Sequence, residues 1–169
     1  MKKSLLFLAT TIAAISITGC STTTNIDSSK INNSPSVTAQ PTVDWNAQVK
    51  TIATKDASTT EKFDEVTMLA RKYTVRKEQL KEFEKYILDE YKQGNYLKDI
   101  SNDEYMLSNI FISTVVERHY DDKDALPIDR FAFDFLQNTK YTYRGADTVD
   151  SDSVKSNEEQ MNKAIESIK

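Results

Sequence analysis

The chain has 169 residues, with 22 basic against 26 acidic side chains and a formal net charge of −4. That acidic balance excludes the broad basic face that a phosphate backbone requires, so no nucleic-acid partner is expected. Three glycines and a single cysteine leave too little material for glycine-rich phosphate loops and no pair for a disulfide.

At the N-terminus, Lys2 and Lys3 precede an apolar run from Leu5 to Ile17, broken only by Thr10, Thr11 and Ser16. The run is shorter than the roughly 20 residues needed to cross a bilayer. Charge, then an apolar stretch, then small residues is the order of a secretory signal. The stretch closes on Ile17-Thr18-Gly19-Cys20, where Cys20 is the only cysteine of the chain. Over these first 20 residues the sequence resembles the signal peptide of a bacterial lipoprotein. The resemblance implies removal of residues 1–19 and attachment of acyl chains at Cys20, whose thiol becomes the thioether to diacylglycerol. Two or three such chains anchor stably, whereas one binds marginally. Ser21, rather than Asp, follows the cysteine; in a Gram-negative host this implies the outer membrane, with the domain facing the periplasm.

Residues 20–43 are mostly Ser, Thr and Asn with Pro35 and Pro41, and no helix or strand period runs through them. They read as a flexible lipidated tether with a root-mean-square reach of roughly 25–30 Å. Without Lys2 and Lys3, 20 basic residues face 26 acidic ones, which disfavours electrostatic adhesion to anionic lipid.

Helical periodicity begins at residue 44. Trp45, Val49 and Ile52 recur at i, i+4 and i+7, with Asp44 as a cap. Ser58 and Glu61 have capping-box spacing, and Phe63, Val66, Leu69, Ala70 and Tyr73 follow on one face. The next helix is expected from Thr74, with Leu80, Phe83, Ile87, Leu88 and Tyr91 as its stripe and Gly94 as its left-handed stop. Ser101 and Glu104 suggest a second capping box before Leu107, Ile110, Phe111, Thr114 and Val115. Ile112 and Val116 widen that face, marking the most buried helix. Pro127 suits a first helical turn and leads into Ile128, Phe131, Ala132, Phe135 and Leu136, while Phe133 points elsewhere, toward a neighbouring helix. Lys140-Tyr141-Thr142-Tyr143-Arg144 alternates and reads as a short extended segment ended by Gly145. The last stripe, Met161, Ala164, Ile165 and Ile168, belongs to an amphipathic helix over 154–169 with Ser156 and Glu159 at cap spacing.

The expected fold is therefore all-α: a small bundle of four to five amphipathic helices behind the tether. The helical domain spans 44–150, and a C-terminal helix over 151–169 packs on it or on a partner. The expected core is Phe63, Val66, Leu69, Leu80, Phe83, Ile87, Leu107, Ile110, Phe111, Val115, Phe131 and Phe135.

Catalytic chemistry finds little support in this pattern. His119 is the only histidine, with Asp121, Asp122 and Asp124 after it, but the spacing lacks the ligand number and glycine of a calcium loop. A solvated helix end, where His suits the negative pole of the dipole, accounts for it. There is no Gly-x-Ser-x-Gly elbow, and the many carboxylates fall on solvent faces rather than in a sugar groove. No enzyme, cofactor, metal or small-molecule substrate is expected. Trp45, Tyr141, Tyr143 and Arg144 are instead residue types that dominate binding hot spots, and they border the helical core. The expected function is a membrane-anchored, non-enzymatic protein-binding or assembly module that engages another envelope protein. The alternative is an immunity or inhibitor lipoprotein that blocks a toxin or cell-wall hydrolase through its acidic surface.

Replacing Cys20 with Ser should release the protein from the membrane fraction and abolish the acyl mass increment. Cell fractionation with intact-mass spectrometry checks this; unchanged membrane retention would refute the anchor.

Overall fold

Backbone amides left unpaired at a helix start need acceptors, and this chain supplies them locally. In the computed structural model, which describes residues 44–120 and 126–168, Asp44 accepts from the Ala47 amide (3.2 Å) and opens α1 (Trp45–Ala53). Ser58 opens α2 (Thr59–Lys72) with a full capping box. The Ser58 hydroxyl accepts from the Glu61 amide (3.2 Å), and the Ser58 amide donates to Glu61 Oε2 (2.9 Å). α3 (Lys77–Lys92) follows an extended stretch, α4 (Asp103–Tyr120) and α5 (Pro127–Tyr143) form the centre, and α6 (Asp152–Ser167) ends the described chain. Every regular element among the described residues is a helix.

Among the described residues, six helices stand where four to five are expected. The additional count comes from the short α1, which in isolation would be marginal. Here Val49 and Ile52 are buried, and the Trp45 indole stacks on Phe111 of α4 at 4.9 Å, nearly parallel. Tertiary packing, not propensity, holds it.

Several boundaries differ from the sequence reading for local reasons. α3 begins at Lys77 rather than Thr74, because Tyr73–Arg76 runs extended and turns Val75 onto the core. The β-branched pair Thr74–Val75 favours that geometry. α4 is capped by Asn102, whose Oδ1 accepts from the Tyr105 amide (3.1 Å), while Ser101 bonds Asp99 instead. α6 starts earlier than expected, with Ser151 accepting from the Val154 amide (3.2 Å), so Ser156 and Glu159 lie inside the helix. The expected extended segment at 140–144 is the last turn of α5. Thr142 and Tyr143 continue the buried face of Phe135, Asn138 and Thr139, and the five-residue alternation was too short to separate strand from helix.

Gly94 and Gly145 terminate α3 and α5 in the same way. Each has positive φ (66° and 68°). The Gly94 amide donates to Tyr91 O and the Asn95 amide to Glu90 O; the Gly145 and Ala146 amides donate likewise to Thr142 O and Tyr141 O. Both are Schellman caps, which need a left-handed residue that glycine adopts without steric penalty.

α4 lies at the centre, packed by α1, α2, α3 and α5, and α6 packs along α5. Ten residues of α4 are buried, among them Asn109, Ser113 and Thr114. Ten of the twelve expected core residues are buried; Phe63 and Leu69 are half-buried at its edge. One aromatic cluster joins Trp45, Tyr73, Phe83 and Phe111. A second joins Tyr91, Tyr96, Phe131 and Phe135. No helix among the described residues is long and apolar enough to cross a membrane. The signal segment, Cys20 and the tether lie outside the described residues.

Phe111 is fully buried and touches rings from three other segments. Phe111→Ala should cost about 3–5 kcal/mol, measured by urea unfolding; a loss below about 1 kcal/mol would contradict the central placement of α4.

Candidate functional site

The residues proposed from sequence as a binding surface separate once the chain folds. Trp45 is half-buried and packs on Phe83 and Phe111 at the edge of the core. Tyr143 is 4% exposed, and its hydroxyl donates to Asp103 Oδ1 at 2.8 Å. The same carboxylate accepts from the buried Lys62 Nζ at 2.6 Å, and Lys62 also donates to the Ala53 carbonyl at 3.0 Å. Burial, with Asp103 as hydrogen-bond and charge partner, pushes the Tyr143 phenol well above its usual range. Tyr143 thus joins α5 to α4, and Lys62 adds α2 and the end of α1. Tyr141 is exposed, and the Arg144 guanidinium lies over the Phe63 ring at 4.6 Å and the Tyr141 ring at 5.3 Å. Of the four, Tyr143 is buried, Trp45 and Arg144 are half-buried, and Tyr141 is exposed. His119 is exposed at the end of α4, edge-on to Tyr120. Asp121, Asp122 and Asp124 lie outside the described residues.

A different surface carries the unusual features. On α5 the buried face is Phe131, Ala132, Phe135, Asn138, Thr139, Thr142 and Tyr143. Phe133 falls off that face and is 48% exposed; it does not turn into a neighbouring helix. It stands between two clefts, which share Phe133 and Glu117 as lining residues.

The first cleft, about 490 Å³, lies between α2, α4 and α5. Arg71, Arg118 and Lys140 make it basic, and Phe63 and Leu136 give it apolar wall. Arg118 donates to the Ala70 carbonyl (3.0 Å), which braces it against the end of α2. Burial, reinforced by Arg144, holds the Lys140 ammonium below its usual range, and Glu117 opposes that shift. Thr67 also lines this cleft, and its Oγ1 is buried with no hydrogen-bond partner.

The second cleft, about 500 Å³, lies between α5, α6 and the end of α4. Glu117, Asp129 and Asp134 line it together with Arg130 and Lys163. Asp134 is 9% exposed, and among the described residues its carboxylate has neither a hydrogen bond nor an ion pair. Burial alone raises its pKa to about 6. A buried carboxylate without a partner is destabilising when ionised, so the fold retains at this spot a group that its stability disfavours. No group of three His, Cys, Asp or Glu among the described residues is placed to hold a metal.

Sequence periodicity had marked Phe133 as off-stripe, which was the available signal. Nothing in the sequence set Asp134 apart, because the cleft it lines is built with Gln160, Lys163, Ala164 and Ser167 of α6, distant in the chain. No protein family, curated protein or solved structure matches this chain.

The Asp134 environment has a measurable consequence. Between pH 4 and pH 6 the folded chain holds a proton that the unfolded chain has released, so stability falls as pH rises through this window. Asp134→Asn should therefore stabilise the protein at pH 7.5 by on the order of 1 kcal/mol, after discounting for solvent at the cleft mouth. The gain should vanish below pH 4. Thermal unfolding across pH 3–8 checks this, and an equal gain at all pH values would remove the charge from the explanation.

Proposed function

We propose that this protein is a membrane-anchored envelope lipoprotein whose helical domain binds another protein through the Phe133 face, without catalysis. The observation that carries the reading is Phe133 itself: a large aromatic, half exposed, set between a basic and an acid-lined cleft. Aromatic anchors flanked by charged rims are what binding hot spots are made of. Each cleft also holds a polar group without a partner among the described residues, the buried Thr67 Oγ1 in one and the carboxylate of the largely buried Asp134 in the other. Local departures from hydrogen-bond satisfaction are expected where function competes with stability. The anchor at Cys20 and the tether up to residue 43 hold this domain within reach of envelope proteins on this reading. The Gram-negative outer membrane, facing the periplasm, is the proposed address.

The alternative, an immunity or inhibitor lipoprotein that blocks a toxin or cell-wall hydrolase, draws on the acidic excess of the chain and on the carboxylates of the second cleft. It uses the same face, and the partner's identity separates the two.

A photo-crosslinking amino acid in place of Phe133 should give one discrete protein adduct in cells, and none when placed at the exposed Lys81 on α3. With that partner in hand, Phe133→Ala should weaken binding about tenfold or more, with the melting temperature unchanged. Equal adducts from both positions, or undiminished binding by Phe133→Ala, would refute this face.

A further inference from the structure

From the second cleft we infer that Asp134 is the receptor for a basic side chain, arginine above lysine, supplied by the bound protein. The inference rests on reading the Phe133 face as a docking surface, and it specifies what that surface recognises.

Asp134 lines the cleft, is nine-tenths buried and has no partner of its own among the described residues. Arg130 and Lys163 line the same cleft, yet neither forms an ion pair with it. Glu117 and Asp129 add negative charge around the same space. A cation entering there meets a carboxylate already stripped of much of its water, so the desolvation penalty is built into the fold and a charge-assisted hydrogen bond recovers it.

The rest of the lining selects the kind of cation. Phe133, Pro127 and Ala164 offer apolar surface that suits the aliphatic stem of a long basic side chain, with the charged head reaching the carboxylate. The exposed ring of Phe133 offers a face on which a guanidinium stacks. A planar guanidinium also matches a carboxylate with two parallel hydrogen bonds, which an ammonium does not. These features together favour arginine. At about 500 Å³ the cleft has room for one such side chain.

The test needs no partner protein, so it succeeds or fails independently of crosslinking at residue 133. The full chain, labelled with ¹³C at aspartate carboxyls, is titrated at pH 7.5 with N-acetyl-arginine amide, N-acetyl-lysine amide and N-acetyl-citrulline amide. Citrulline has the shape of arginine without its charge. The arginine amide should shift the Asp134 carboxyl resonance saturably, the lysine amide more weakly, and citrulline at least tenfold more weakly still. Asp134→Asn, which keeps the shape and is expected to fold more stably, should weaken the arginine amide at least tenfold. Lys163→Ala should tighten it severalfold by removing a competing cation. Citrulline binding as well as arginine, undiminished binding by Asp134→Asn, or no saturable shift would each overturn the inference. So would tenfold tighter binding of putrescine, which would make the ligand a free diamine rather than a protein side chain. If the probe results hold while residue 133 gives no adduct, the cation site stands and the docking reading fails; the reverse pattern removes the cation site alone.

Discussion

The arrangement of α1, α2, α3 and α5 follows from the need to cover α4 on all sides. Its apolar positions do not form one stripe. Met106, Leu107, Ile110, Phe111, Ile112, Val115 and Val116 run around the whole cylinder and are all buried. A helix apolar all round has no face to give to water. It therefore requires several neighbours, and α1, α2, α3 and α5 take those places. The short α1 is recruited by the same constraint, because Trp45 closes the side of Phe111 that would otherwise be wet.

An enclosed helix brings its polar side chains into a dry interior, where each must find a partner. Ser113 and Thr114 turn their hydroxyls back onto the carbonyls of Asn109 and Ile110. Asn109 accepts from the Tyr86 hydroxyl and donates to the Tyr96 carbonyl. At the other end, Asp103 gathers Lys62 and Tyr143. Between α5 and α6, Asn138 donates to Tyr96 and to the Val154 carbonyl and accepts from Asn157, while Tyr96 donates to Glu158. These bonds fix how neighbouring helices meet, since apolar contact alone tolerates sliding. Against that background, the Thr67 hydroxyl and the Asp134 carboxylate, which have no partner among the described residues, are exceptions, and both border the clefts beside Phe133.

Charge is distributed in keeping with a recognition surface rather than with bulk attraction. The chain is acidic overall, yet Arg71, Arg118 and Lys140 gather at one cleft while three carboxylates line the next. On the proposed reading, a face that alternates in sign over a short distance would be selective, because a mismatched partner would meet like charges in at least one cleft. Mean charge would have predicted only that the surface repels anions.

The helices were legible in the sequence because their signals are local. A cap at Asp44, a capping box at Ser58 and Glu61, glycines at 94 and 145, and apolar residues at helical spacing act within a few residues of chain. The central place of α4 was legible for the same reason: an apolar face too wide for a surface helix is visible in one segment. Boundaries failed where two local readings competed, as at Lys140–Arg144, where a five-residue alternation and the end of a helical stripe look alike until Thr142 and Tyr143 are seen to be buried together. The same sequence resembled a lipoprotein at Cys20 by a linear motif that needs no fold. The proposed binding surface was legible only in part. Trp45 and Tyr143 carry the chemistry of contact residues, but Tyr143 is buried on Asp103 and Trp45 is half-buried against Phe111 of α4. Asp134 becomes unusual only when α6, starting nearly 20 residues later, closes beside it. Which helices form is decided by neighbours in the chain; which side chains are left exposed, paired or stranded is decided by neighbours in space, and periodicity carries no information about those.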